Sequence, residues 1–282
     1  MTGIGEIDWN EAWKEIDVEK KSKDEFASCA ERWSDRERCR SFNRKVQEDN
    51  WNDAWERVHA MKITPSSRVL DIGAGPGTLA IPLAGIVRHI TAIEPSGGML
   101  ECLHENMQQR GIKNISTIQK RWEDVDIRRD LDGPYDVVVS SYSLGVTDLK
   151  AALLKMDEVS QKYVYIFWFA DMMSHRHRNY REIWEDLFGI PPSTRRIPNI
   201  IFNLLTQMGI YASVEISRTG HVTRYPDLED AVADQKEVLK LNDERQVSVL
   251  RNYLEKTLHR ENGEYVMRGK TCQAKIWWEK EI

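Results

Sequence analysis

The sequence predicts an α/β protein with a doubly wound, mostly parallel sheet of seven strands, helices on both faces and a helical cap at the N-terminus. Three observations support this prediction. Short β-branched runs alternate with helical stretches from about Arg68 to Phe169, a glycine-rich turn follows the first run, and residues 1–60 are charged and rich in tryptophan. The 282 residues are enough for one large domain with appended helices.

The N-terminal segment, residues 1–60, is expected to form the helical cap. Trp9 and Trp13 share a helical face, as do Trp51 and Trp55, because residues four positions apart on a helix are neighbours. This spacing favours packing against the main domain, with the lining of a substrate pocket as the alternative. Residues 61–282 are expected to form the main domain, with helical insertions near 171–208 and 227–260.

Seven runs are predicted as strands, and helical stretches separate the first five, as in a parallel sheet. The first five are Arg68–Ile72, Ile90–Glu94, Ile115–Gln119, Tyr135–Ser141 and Tyr163–Phe169. Two later runs, Tyr211–Ser217 and Glu264–Trp278, are expected to close the sheet as a hairpin-like pair. A charged stretch from Leu228 to about Leu258 between them is predicted as helix.

Composition excludes several classes of function. The formal net charge of −5 and the pI near 5.9 argue against binding nucleic acid through bulk positive charge. The four cysteines form no C-x-x-C pair, so neither a zinc site nor a disulfide framework is indicated. His175 and His177 lack further candidate ligands, and no metal is expected. Without an export signal or a membrane-length apolar run, a cytoplasmic location is expected.

The most informative segment is the apolar strand that runs into Gly73-Ala74-Gly75-Pro76-Gly77. Glycine removes side chains where a ligand approaches the backbone, and the loop's N–H groups are expected to remain available to an anionic or polar group. Glu94 ends the next strand about twenty residues later, where an acid can accept both hydroxyls of a ribose. The dinucleotide fingerprint G-x-G-x-x-G needs glycine at position 78, where this chain has Thr78, so a nicotinamide enzyme is disfavoured.

The run Asp71-Ile72-Gly73-Ala74-Gly75-Pro76-Gly77 resembles the D/E-x-G-x-G-x-G signature of class I S-adenosylmethionine-dependent methyltransferases. The resemblance covers roughly residues 60–170, and Tyr135–Ser141 is similar to the family's fourth strand. It implies a Rossmann-like fold, methyl transfer, and S-adenosylmethionine as cofactor. The cofactor-binding residues it implies are Asp71, Gly73, Ala74, Gly75, Gly77, Glu94, Pro95, Trp122, Glu123 and Ser140. Arg121 and Trp122 stand where similar proteins often carry an acid and a small residue, and the Trp122 ring is alternatively a packing residue.

The sequence limits the chemical classes of methyl acceptor but does not identify the acceptor. Ser140-Ser141-Tyr142-Ser143 replaces the Asn-Pro-Pro-aromatic tetrad with which similar enzymes methylate amides or adenine amines. A small molecule is the preferred acceptor; a protein side chain, or cofactor binding without catalysis, are the alternatives. Tyr142 and His175 are the candidate catalytic residues. The basic run from His175 to Arg178 either binds an anionic substrate or is a solvated charge run, which is the preferred interpretation. Oligomeric state is left open.

Overall fold

The computed structural model describes residues 7–15, 33–170, 179–192 and 197–280. Its sheet has the order β3-β2-β1-β4-β5-β8-β6, and β7 pairs with β8 beside this path. The strands are β1 Arg68–Ile72, β2 His89–Ile93, β3 Ile115–Ile118, β4 Tyr135–Ser141, β5 Ser160–Phe169, β6 Ser213–Tyr225, β7 His259–Glu261 and β8 Glu264–Glu279. The doubly wound α/β architecture predicted from the sequence is confirmed.

The strand predictions fail mainly at the C-terminal end of the sheet. The ends of β1 and β4 are as predicted, whereas β6 runs to Tyr225, well beyond Ser217. The sheet also has an eighth strand, β7. As expected, β8 and β6 are hydrogen-bonded neighbours that close this end of the sheet. The tight hairpin, however, is formed by β7 and β8 across Asn262-Gly263, both at positive φ. An Asn-Gly pair between strands is a strong signal for a two-residue turn, so the sequence contained this hairpin.

Helices cover the regions between the strands. In chain order they are α1 at residues 9–15, α2 Arg36–Glu48, α3 Asn52–His59, α4 Ala80–Ala84, α5 Gly97–Arg110, α6 Ile127–Asp130, α7 Leu149–Val159, α8 Trp184–Phe188, α9 Ile197–Gln207, α10 Leu228–Leu239 and α11 Glu244–Thr257. The stretch predicted as one helix from Leu228 to Leu258 is two, because Lys240 adopts a left-handed conformation and Asp243 caps a new start. No helix in the described ranges combines the length and apolar character needed to cross a membrane.

The central strands are parallel and buried on both faces. β1 lies between β2 and β4, so Asp71 pairs with Ala92 on one side and with Val139 on the other. The side chains of Val69, Ile90 and Val137 have no exposed surface and belong to one apolar core. This packing fixes the carboxyl ends of β1, β2 and β4 at one edge of the sheet, which is where parallel α/β sheets bind ligands.

The chain divides into two compact units. The first comprises Met1–Trp168, Pro198–Glu215 and Ala274–Ile282, and the second Phe169–Ile197 and Ile216–Gln273. The second unit has its own apolar core, which includes Trp184, Leu250 and Leu254. Within that unit the Tyr180 hydroxyl donates to Gln235 Oε1 at 2.5 Å. The boundary expected near residue 60 stays a prediction.

Candidate active site

The glycine loop, residues 73–78, follows β1 and takes a conformation that favours glycine. Gly73, Gly75 and Gly77 have φ values of 72°, 57° and 87°, a region that side chains rarely adopt. A Cβ built on Gly73 would lie 2.2 Å from Ser143 Cβ, whereas one on Gly75 would meet nothing within 4 Å. Gly73 therefore permits close packing against the chain after β4, and Gly75 leaves open space in front of the backbone.

The backbone N–H groups of the glycine loop are already used inside the protein. Those of Gly73 and Ala74 donate to Ile93 O, at 2.7 and 3.0 Å. The N–H groups of Gly77 and Thr78 donate to Ala74 O, and Pro76 has none. The Gly75 N–H donates to Glu94 Oε2 at 2.9 Å. The expectation that these donors stay available is therefore wrong, because the neighbouring strand and the loop's own turns satisfy them.

Glu94 links the ends of β1 and β2. Its carboxylate is buried, with the residue 6% exposed, and it accepts from Gly75 N and, at 2.8 Å, from Ser96 N. Burial raises the pKa of Glu94, and the two backbone hydrogen bonds oppose that shift. Each carboxylate oxygen has two lone pairs, so Glu94 retains capacity to accept ligand hydroxyls while holding the loop.

Asp71 lies beneath the glycine loop and is 2% exposed. Burial raises its pKa to about 7, the charge of Glu94 adds to the shift, and Arg57 and the Ala80 N–H counteract it. Its Oδ2 has no hydrogen-bond partner among the described residues. An unpartnered buried carboxylate oxygen is costly and marks a position where a ligand donor would be favourable.

The chain after β4 forms the other side of the site. Ser140 is fully buried, and its hydroxyl lies 2.8 Å from that of Ser143, which donates to Ile72 O. Tyr142 has a left-handed backbone, with φ of 57°. Burial raises the pKa of its phenol to about 12, although the charge of Arg57, whose Cζ is 5.2 Å from the ring centroid, pulls it down. The phenol is therefore protonated at neutral pH.

Two N-terminal helices contact this edge of the sheet. Trp13 of α1 is 6% exposed and donates from Nε1 to Val146 O at 2.7 Å, in the segment after β4. On α2, Asn43 Oδ1 accepts from Asn106 Nδ2, which also donates to Pro76 O in the glycine loop. The N-terminal segment thus contacts both the segment after β4 and, through Asn106, the glycine loop. Trp13 acts as a packing residue.

Trp122 and Glu123 lie beyond β3, and both use their polar groups within the protein. The Trp122 residue is 4% exposed, and its indole N–H donates to Ala152 O at 3.2 Å. Glu123 Oε1 accepts from Thr147 N at 2.9 Å. Lys155 Nζ lies 5.0 Å from the Trp122 ring centroid, a cation–π distance. This environment agrees with the packing interpretation of the Trp122 ring.

Of the remaining predicted site residues, Ala74 is buried in the loop and Pro95 is half-buried after Glu94. His175 and the basic run around it lie outside the described residues. Within the part of the chain that the structure describes, His, Cys, Asp and Glu form no group of three or more suited to a metal ion. Arg57 is a site residue that the sequence reasoning missed. In the sequence, Arg57 is marked only by Asp53 four residues earlier, and many exposed ion pairs on helices have the same spacing.

The fold and the site together define a class of protein. The open glycine turn lies between Glu94, which can accept ribose hydroxyls, and the buried carboxylate of Asp71, whose Oδ2 has no donor among the described residues. These residues fit a nucleoside cofactor that carries a cationic end, with Glu94 on the ribose and Asp71 toward the cation. The class is a Rossmann-like α/β protein that binds such a cofactor at the carboxyl ends of its parallel strands.

Comparison with known proteins narrows the class. The profile of the family described as "Methyltransferase domain" matches residues 69–162. A Haemophilus influenzae protein of uncharacterized function is 30% identical over 224 residues, which is 78% of this chain and 79% of that protein. The ribosomal RNA small subunit methyltransferase G of Mycolicibacterium smegmatis is 40% identical over 79 residues, 27% of this chain and 32% of that protein. The crystal structure of the YcgJ protein from Bacillus subtilis covers 81% of this chain and 98% of its own, with a TM-score of 0.53 at 14% identity, and so shows the fold alone.

Residues 69–162 of the chain form a methyltransferase domain of the S-adenosylmethionine-dependent family. The protein is an enzyme of one-carbon transfer, and S-adenosylmethionine is its methyl donor. The family profile spans the whole glycine loop and all of β2, β3 and β4.

Proposed function

We propose that this methyltransferase acts on a small molecule. The observation that supports this most is the N-terminal bracing of the active-site edge: Trp13 holds the segment after β4, and Lys150 N donates to Asn10 Oδ1 at 2.9 Å. A site edge covered by the enzyme's own helix suits an acceptor that can be enclosed. The acidic net charge agrees with an acceptor other than nucleic acid.

The enzyme's main catalytic task is to align the acceptor atom with the methyl group and the sulfur of the cofactor. When bound, S-adenosylmethionine would supply an electrophilic methyl group on a sulfonium and would leave the reaction as a neutral thioether. We assign Glu94 to the ribose and Asp71 to the cationic end of the methionine moiety, both acting through position and charge. In well-oriented model systems, positioning supplies about 7–11 kcal/mol of the barrier reduction.

Two residues are proposed for hydrogen-bonding or acid–base roles toward the acceptor, Tyr142 and His175. Tyr142 is proposed as a hydrogen-bond donor that orients the acceptor, since its raised pKa keeps the proton on the phenol. An acceptor that is already a free amine or thiolate needs no base from the protein. For an acceptor that arrives protonated, His175 remains the proposed proton acceptor.

The test is methyl transfer into fractionated cell extract. Purified protein and methyl-labelled S-adenosylmethionine are incubated with a fraction below about 3 kDa, a protein fraction and a nucleic-acid fraction. The proposal expects label in the small-molecule fraction, abolished by Glu94→Ala. Label in protein would establish the alternative of side-chain methylation. Binding of S-adenosylhomocysteine with no label in any fraction would favour a non-catalytic cofactor-binding protein.

Among the described residues, Cys39 and Cys102 are buried thiols and not disulfides, which agrees with a reducing, cytoplasmic location. We include that location in the proposal, and fractionation of cells with an antibody to the protein tests it.

A further inference from the structure

Arg57 is a charged residue that is almost completely buried. It belongs to α3, is 3% exposed, and pairs through Nη1 with Asp53 Oδ2 at 2.7 Å. Its Nε has no hydrogen-bond partner among the described residues. A buried guanidinium is rare unless its five N–H groups are paired, so the Nε–H of Arg57 is a buried donor that a ligand acceptor could satisfy.

The surroundings of Arg57 place it at the active-site edge of the sheet. Its Cζ lies 5.2 Å from the ring centroid of Tyr142, just after β4. Its charge also opposes the rise that burial causes in the pKa of Tyr142 and in that of Asp71, at the end of β1. Tyr142 precedes Ser143, which packs against Gly73 of the glycine loop. Arg57 is therefore a buried cation, supplied by the N-terminal segment, that lies near the carboxyl ends of β1 and β4, where we place the cofactor.

The glycine loop creates a need for such a cation. Every N–H from Gly73 to Thr78 is already donated to Ile93, Glu94 or Ala74. The methionine end of the cofactor carries a carboxylate, and an anion brought to a buried site without donors is strongly disfavoured. The loop backbone of this chain therefore does not supply the donors that a carboxylate requires.

We propose that the Arg57 guanidinium binds the α-carboxylate of the methionine moiety of S-adenosylmethionine. The fork of a guanidinium matches a carboxylate and gives strong, charge-assisted hydrogen bonds. Asp53 holds the guanidinium in place from the solvent side, since its own side chain is 58% exposed. The cofactor site is thus completed by a residue outside the matched methyltransferase domain, which begins at residue 69. This inference rests on the cofactor assignment and is independent of the acceptor.

The experiment compares two ligands that differ only in the carboxylate. They are S-adenosylhomocysteine and its decarboxylated analogue, S-adenosyl-3-thiopropylamine, and titration calorimetry gives both dissociation constants at neutral pH. The wild-type protein is expected to bind S-adenosylhomocysteine about 10- to 100-fold more tightly than the analogue. Arg57→Met is expected to reduce this ratio to within about 3-fold by weakening S-adenosylhomocysteine alone, and Arg57→Lys to give an intermediate ratio.

Arg110→Met is the matched control. Arg110 ends α5, and its Cζ lies 4.3 Å from the Trp51 ring centroid. Its removal deletes an arginine stacked on an aromatic ring without touching the carboxyl ends of the strands, so both ligand affinities should stay at wild-type values. Circular dichroism and thermal melting without ligand verify that the variants fold.

Each outcome decides the proposal. A wild-type ratio near one, or an equal loss for both ligands in Arg57→Met, overturns the role of Arg57 while leaving the cofactor assignment intact. If Arg57→Met does not fold, the wild-type ratio and Arg57→Lys decide the question. Failure of wild-type protein to bind either ligand contradicts the cofactor assignment and this inference with it.

Discussion

Replacing Asp71 with asparagine isolates the energetic cost of one buried carboxylate. Burial raises the native pKa of Asp71 from 3.8 to about 7. The native state therefore holds the proton more tightly than the unfolded chain, so this group's contribution to stability is complete below about pH 4 and is lost as pH rises through about 7. One pKa unit corresponds to about 1.4 kcal/mol. Between about pH 5 and pH 8, the wild type should lose about 2–3 kcal/mol relative to Asp71→Asn.

The assay is urea denaturation of the ligand-free wild-type and variant proteins at both pH values, with the unfolding free energy extrapolated to water. Asp136→Asn is the matched control on β4. Partial burial opposes ionisation of Asp136, but Lys162 and the Arg68 N–H outweigh it and lower its pKa. Its stabilising contribution is therefore present throughout pH 5 to 8 and is lost only at more acidic pH, so the difference between wild type and Asp136→Asn should be the same at both pH values. If Asp71→Asn and the wild type respond identically to pH, Asp71 is already ionised at pH 5 and the reasoning is refuted.

Three further predictions concern the glycine loop and the segment after β4. Gly73→Ala should destabilise the protein by roughly 3 kcal/mol or more in urea denaturation, because a strained backbone is combined with a steric clash against Ser143. Gly111 has a similarly positive φ but open space around it, so Gly111→Ala should cost about 1 kcal/mol. Tyr142→Phe should lower kcat about 100-fold in labelled-methyl assays and leave the pH profile between about pH 6 and 9 unchanged, because the phenol stays protonated. Trp13→Phe should cost about 1 kcal/mol and speed amide exchange around Val146, because one buried hydrogen bond is lost.

Each of these predictions has a result that contradicts it. Equal losses for the two glycine variants would mean that contact with Ser143 does not matter. Unchanged turnover in Tyr142→Phe would remove that residue from the mechanism. For Trp13→Phe, the comparison is Trp277→Phe, whose indole N–H donates to the exposed Glu215. The same faster exchange near Val146 in both variants would show that α1 does not brace that segment.

Local sequence patterns predicted the parallel strands well, because strands that are buried on both faces consist of short runs of apolar residues. Arg68–Ile72 and Tyr135–Ser141 have the ends that the sequence indicated. Glu94 was also placed correctly relative to the glycine loop, since a strand end and a glycine turn are local features. Sequence was sufficient wherever the determinant lay within a few residues.

What the sequence did not reveal depended on contacts between distant segments. The glycine loop was expected to keep free donors, but its first two N–H groups go to Ile93 O on the neighbouring strand, a partner that only the folded sheet supplies. Arg57 followed an acid by four positions like a surface ion pair, and its burial depends on how α3 packs against the rest of the first unit. Neither fact is encoded in local spacing.

The site combines two features that cost stability. Among the residues that the structure describes, Oδ2 of Asp71 has no donor and the Nε–H of Arg57 has no acceptor, and both are buried. Selection for stability alone would remove both, because each is replaceable by a neutral residue of similar shape. The amino-acid end of the cofactor carries an ammonium and a carboxylate, which are the complementary groups. In the proposed site Asp71 would receive the ammonium and Arg57 the carboxylate, so nucleosides without an amino acid are expected to bind more weakly than S-adenosylhomocysteine.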